Sequence, residues 1–134
     1  MMAGTALFFG GGDIENAKQC IEDSIRVSPK DPGAHICFFI LGLIYLDMGE
    51  TQLAVEHSRR SFQMLSTWDS GLVGLIACLV DNGEVDEAKK IAERLVKLDP
   101  ATTIEKVIKH LKINKPNIID KFAEGMRQAS IPES

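Results

Sequence analysis

Residues 35–66 and 69–100 are two versions of one pattern, and that repetition constrains the fold more than any other feature. Ala54 and Ala88 lie 34 positions apart. At the same offset Leu41 meets Leu75, Tyr45 meets Leu79, Gly49 meets Gly83, and Ser66 meets Pro100. A weaker copy precedes them, with Phe8, Gly12, Ala17, Ile21 and Pro29 in the matching slots. It lies 37 positions upstream, so about three extra residues enter at the joint Lys30-Asp31-Pro32-Gly33-Ala34. A unit that recurs at this length is one supersecondary element, and it buries its apolar face only by stacking on its neighbours.

The slots explain themselves as pairs of antiparallel helices. Glycine inside a helix costs about 1 kcal/mol relative to alanine, so Gly42 makes sense where a partner helix crosses. Ala54 and Ala88 are then the small residues facing that crossing. Gly12, Gly49 and Gly83 stand where each first helix must stop, because glycine takes the left-handed closing conformation without a Cβ clash. Gly12–Ala17 and Gly83–Ala88 restart a helix with acids in its first turn, which complement the positive end of the helix dipole. Pro29 and Pro100 prevent the second helices from continuing. Beyond Pro100 the repeat lapses, but Ile104, Val107, Ile108 and Leu111 keep a helical stripe. Asn114–Pro116 breaks the chain and starts another helix, with proline in its first turn. Ile118, Ile119, Phe122 and Met126 form the stripe of that helix. The expected helices are 2–10, 14–27, 34–48, 51–65, 69–82, 85–98, 102–112 and 116–129, with no strand.

The slots Leu41-Gly42, Tyr45, Gly49 and Ala54, and Leu75, Leu79, Gly83, Ala88 and Pro100, resemble the tetratricopeptide repeat, whose period is 34 residues. The resemblance covers residues 1–100. It implies an all-α, right-handed α-solenoid of about three helix–turn–helix units plus two C-terminal capping helices. The expected organisation is a single domain over 1–134. A truncated first repeat covers 1–33, a second 34–67, a third 68–100, and the capping helices 101–134. The first unit begins part-way through its first helix, as in a fragment or a shortened gene product. More narrowly, three stretches resemble the C-terminal repeat region of bacterial multidomain proteins related to adenylate/guanylate cyclases. They are Ser28–Pro32, Leu98-Asp99-Pro100 and the terminal Phe122–Glu133. That family's ending reads glycine-leucine-arginine, a basic residue, alanine, glycine, leucine, proline, glutamate. Met126, Gln128, Ser130 and Ile131 depart from it here. The resemblance implies a cyclase or transcription-regulator domain upstream in related chains, and no such catalytic domain is encoded in these residues.

Composition narrows the function class. The net charge of −4 and the scarcity of aromatics argue against nucleic acid, which calls for a basic face or stacking platforms. Cys20, Cys37 and Cys78 form no C-x-x-C pair, and the expectation is reduced, buried thiols in a cytoplasmic protein. Residues Ala3–Phe9 lack a basic leader, so no signal peptide is expected. The apolar run Ile36–Leu46 falls short of the roughly 20 residues a bilayer demands, so no membrane partner is expected. Gly10-Gly11-Gly12 lacks the Gly-Lys-Ser/Thr of a phosphate loop and reads as a turn. His35, His57 and His110 sit in different units without carboxylates at ligand spacing, so neither metal nor acid–base chemistry is expected. The serines show no nucleophile elbow. No catalytic residue and no cofactor is expected. Lys106, Lys109, Lys112 and Lys115 are either a contact stripe for an acidic partner or a phosphate backbone, or the solvated face opposite the Ile104, Val107, Ile108 and Leu111 stripe.

The expected functional surface is the concave groove lined by the first helix of each unit. Unit two offers Ile36, Phe39, Leu43, Leu46 and Asp47; unit three offers Ser70, Val73, Ala77, Val80 and Asp81. Chaperone-binding members of the repeat family place lysines and asparagines there to clamp a peptide carboxylate. The matching slots are Phe39, Leu43, Val73 and Ala77, which speaks against a clamp. An apolar groove is costly to leave in water, at about 25 cal/mol per Å². Three occupants satisfy it: the chain's own helix 116–129, a second copy of the chain, or an amphipathic helix of another protein. A second apolar edge at Leu7, Phe8 and Phe9 points to self-association as a homodimer or larger homo-oligomer. The expectation is thus a non-enzymatic protein–protein interaction scaffold. The alternative is the detached regulatory arm of a nucleotide cyclase or transcription regulator.

Overall fold

The computed structural model describes residues 19, 21–23, 34–110 and 115–134. The helix expected at 2–10 lies outside these residues, as do Gly12, Ala17, Pro29 and Cys20. Of the helix expected at 14–27, residues 19 and 21–23 are described and are helical. Six further helices follow: α1 (Ala34–Met48), α2 (Thr51–Met64), α3 (Asp69–Asp81), α4 (Val85–Leu98), α5 (Ile104–His110) and α6 (Pro116–Gln128). Among the described residues there is no strand. The fold is all-α, with α1 packed on α2, α3 on α4, and the two pairs stacked through α2–α3 and α1–α3.

The helix ends show why the echo at 34 residues is structural. Gly49 and Gly83 both take left-handed conformations, with φ of 81° and 84°. At the first, Gly49 N–H donates to the Leu46 carbonyl and Glu50 N–H to the Tyr45 carbonyl, at 3.2 and 2.9 Å. At the second, Gly83 N–H donates to Val80 and Glu84 N–H to Leu79, at 3.0 and 2.8 Å. This is the paired closure that satisfies the last carbonyls of a helix. The same chemistry at the same offset gives each helix pair the same turn.

Gly42 supplies the close approach within the first pair. A Cβ there would collide with Ser58 Oγ and stand 3.3 Å from the Ala54 carbonyl oxygen, so α2 crosses α1 at that point. Ala54 and Ala88 are both fully buried. The outer helices α2 and α4 bury one narrow face, mostly small residues such as Ala54, Ser58, Ala88 and Ala92. By contrast α1 is buried along almost its whole length from Cys37 to Leu46. A helix apolar on every side needs cover on every side, and α1 receives it from α2, α3 and α6. No helix among the described residues is long and apolar enough to cross a membrane.

Where they are described, the boundaries of the helices from α1 to α6 fall within a residue of the expected ones, except that α5 starts two residues late and its expected end at 112 lies outside the described residues. Helix α5 starts at Ile104 rather than 102 because Thr103 acts as its N-cap, its Oγ1 accepting from Lys106 N–H at 3.2 Å. Thr102 instead closes a turn, donating from both N–H and Oγ1 to the Asp99 carbonyl. Pro116 occupies the first turn of α6.

Candidate protein-binding groove

The inner faces of α1 and α3 form the floor of the groove, and α6 lies on that floor. Lys121 Nζ reaches Asp81 Oδ2 at 2.9 Å, and Gly125 sits over Ala77, so α6 runs antiparallel to α3. A Cβ on Gly125 would stand 2.8 Å from Ala77 Cα and 3.3 Å from its nitrogen. Only glycine allows this backbone-to-backbone approach. The buried face of α6 carries Ile118, Phe122 and Met126, all without solvent exposure. Of the stripe read from sequence, Ile119 alone stays half-buried. Among the three occupants considered for the groove, the chain's own C-terminal helix is the one seen in this structure.

The expected groove residues take four kinds of position. Leu43, Leu46 and Ala77 are buried in the core, and Phe39 closes over Gly74 and meets the Trp68 ring at 4.9 Å between centroids. Asp47 and Asp81 stand at the rim: Asn117 Nδ2 donates to Asp47 Oδ1 at 3.0 Å, opposite the Lys121–Asp81 pair. Ser70 and Val73 line a cavity of about 260 Å³ that α6 leaves open. Its other walls include Leu95, Asp99, Val107, His110 and Phe122. Ile36 and Val80 are half-buried against the core. Leu7, Phe8 and Phe9 lie outside the described residues.

Sequence reasoning did not single out Asn117, Lys121 or Gly125. Their signal was present only in part: the stripe through Phe122 marked α6 as amphipathic, and Gly125 belonged to the family-like ending. That ending has a structural meaning. Ser130 takes φ of 73°, Ser130 N–H donates to the Arg127 carbonyl and Ile131 N–H to the Met126 carbonyl. This repeats the closure of α1 and α3. The tail then turns back, and Ile104 and Glu105 N–H donate to the Pro132 and Glu133 carbonyls at 2.8 and 3.0 Å. These bonds satisfy orphan donors at the start of α5.

Cys78, Glu124 and the histidines are each engaged by near neighbours. Burial pushes the Cys78 thiol up to about 12, while its contact with Ser58 Oγ at 3.2 Å pulls the other way. Hydrogen bonds from Gln128 and Arg127 hold Glu124 below the usual carboxylate range. His57 lies against Tyr45 and Phe38 with Nδ1 on the Leu53 carbonyl; His110 bonds the Lys106 carbonyl; His35 meets the Trp68 ring edge-on. Among the described residues, no three His, Cys, Asp or Glu side chains are placed to hold a metal ion. Lys106 and Lys109 are exposed on α5, opposite buried Ile104.

No protein-family model matches the chain. The chain is 25% identical over 92 residues to Protein STIP1 homolog of Dictyostelium discoideum. That match takes in 69% of this chain and 16% of the relative's length. With helix pairs closed identically at a 34-residue offset, the similarity supports a helical repeat of the tetratricopeptide-like kind.

Proposed function

We propose that this protein is a non-catalytic scaffold that binds amphipathic helices of protein partners in the groove between α1 and α3. The observation that carries this reading is the presence of α6 there: the groove already holds an amphipathic helix in the manner of helix-in-groove recognition. Apolar floor residues such as Val73 and Ala77 provide burial. Asp47 and Asp81 provide polar marks at the rim, and Ser70 and Val73 border the opening that remains. The distant similarity to a repeat protein supports protein partners in general terms.

A panel of helical peptides titrated against the full chain by fluorescence anisotropy tests the proposal. Binding should weaken with Ser70→Lys and Asp81→Lys, both at accessible positions, and not with Glu56→Lys on α2. Binders indifferent to Ser70 and Asp81 would place the site elsewhere. The second reading is a detached regulatory arm of a nucleotide cyclase or transcription regulator. A cyclase-like reading frame immediately upstream in the genome favours the arm; an unrelated neighbour favours a free-standing scaffold.

A further inference from the structure

We infer that α5 and α6 form a releasable hairpin that acts as the groove's internal ligand. External partners then compete with it by carrying its recognition face. This inference rests on the groove being the binding site, as proposed above, and adds what occupies it at rest and what displaces the occupant.

The hairpin's polar bonds are chiefly internal, while its hold on the repeats is apolar burial against α3, α1 and α4. The Pro132 and Glu133 carbonyls accept from the start of α5, and Arg127 pairs with Glu124 and Glu133. All these bonds lie within residues 104–133 and survive release. Among the described residues, the side-chain polar links from α6 to the repeats are the two rim contacts, Asn117 to Asp47 and Lys121 to Asp81. Both lie in reach of water, with the Lys121 and Asp81 side chains 25% and 27% exposed, so opening exchanges them for hydration. On the α5 side the fit is incomplete. The 260 Å³ cavity separates Lys106, Val107 and His110 from Ser70, Val73 and Leu95. The core built from residues such as Leu41, Ile44, Leu72, Ile76 and Leu79 extends into Ile118, Phe122 and Met126 of α6, so a competing helix must bury the same floor in their place.

The seated face specifies the partner. It carries an aliphatic residue (Ile118), a cation three positions on (Lys121), an aromatic at the fourth (Phe122), a glycine at the seventh (Gly125) and a flexible apolar residue at the eighth (Met126). The glycine is the restrictive element, because the Ala77 backbone admits no Cβ without a shift. The cation answers Asp81. A competing helix therefore has an apolar stripe, one basic residue three positions after its first apolar residue and a glycine seven positions after it.

The test uses the full chain and a fluorescein-labelled peptide of residues 116–131. Wild type binds it weakly, because affinity falls with the fraction of molecules whose groove is open. Gly125→Leu unseats the hairpin and should tighten peptide binding at least about tenfold. Adding Asp81→Lys should weaken it again, and a peptide bearing Lys121→Glu should restore it. A folded Gly125→Leu protein that binds no better than wild type overturns the inference, as does indifference to Asp81→Lys. Amide exchange on wild type decides the matter even if Gly125→Leu fails to fold. Opening of α5 and α6 ahead of α1–α4 supports release, and exchange of all helices in one global step refutes it. If no helical peptide binds either protein, the scaffold reading itself falls. If both bind alike through the groove, only the internal-ligand inference falls.

Discussion

Gly125→Ala separates a seated α6 from a free one by the sign of its effect. In a solvated helix this change stabilises by about 1 kcal/mol, since alanine restricts the unfolded chain and favours helix. Here the new methyl carbon would stand 2.8 Å from Ala77 Cα and 3.4 Å from its Cβ. The nearest atoms are backbone, so no rotamer change relieves the contact, and overpacking of this kind costs about 1–3 kcal/mol. Complete lifting of α6 would cost more. Ile118, Phe122 and Met126 are fully buried, and each contributes about 1.5–3 kcal/mol, so a small displacement is the cheaper response. Set against the alanine gain of about 1 kcal/mol, the expected result is a net loss of up to about 2 kcal/mol. With a urea m-value of about 1–3 kcal/mol/M, a loss of about 2 kcal/mol lowers the midpoint by about 0.7–2 M. Urea titration followed by circular dichroism and by Trp68 emission measures it. Ala77→Gly in the same chain should restore little, because the Cα remains. An alanine variant more stable than wild type would show that α6 does not rest on α3, and the groove argument would fail with it.

Three further perturbations probe other parts of the argument. Ser130→Gly should stabilise by about 1 kcal/mol, because a left-handed conformation costs an L-residue about 1–2 kcal/mol and glycine nothing comparable; an unchanged urea midpoint would refute the closure at the end of α6. Gly42→Ala should destabilise by about 1–3 kcal/mol through its collision with Ser58. Ser58→Ala should recover part of that loss, and strictly additive effects would mean that the two residues do not meet. Cys78 gives a pH signature. Its folded pKa of about 12 lies above the ordinary thiol value of 9.0, so the stability it confers is full below pH 9 and is lost as pH rises toward 12. Between pH 8 and pH 10 wild type should therefore lose more stability than Cys78→Ala, on the order of 1 kcal/mol, and parallel curves would show a thiol open to solvent.

Much of the architecture was legible because its signals are local. The closing glycines at 49 and 83, the small residues at 54 and 88 and the proline at 116 act on their own helix ends or crossings. Their spacing alone identifies repeated helix pairs. The start of α5 was less legible, because Thr102 and Thr103 divide between turn and cap by competing hydrogen bonds. The groove was legible as a set of apolar positions, yet not as open or closed. Phe39, Leu43 and Val73 read alike whether they face water, core or another helix.

The sequence by itself determined the period, the helix pairs and the amphipathic character of residues 116–128, since each depends on residues a few positions apart. Only the tertiary structure decided that α6 lies antiparallel on α3, that Lys121 meets Asp81, and that Gly125 is the point of closest approach. Those relations join residues 40 or more positions apart in the chain. Gly125 looks like any helix-weakening glycine until Ala77 is placed beneath it. Burial and close contact are properties of both partners, and the chain brings the partners together only when it folds.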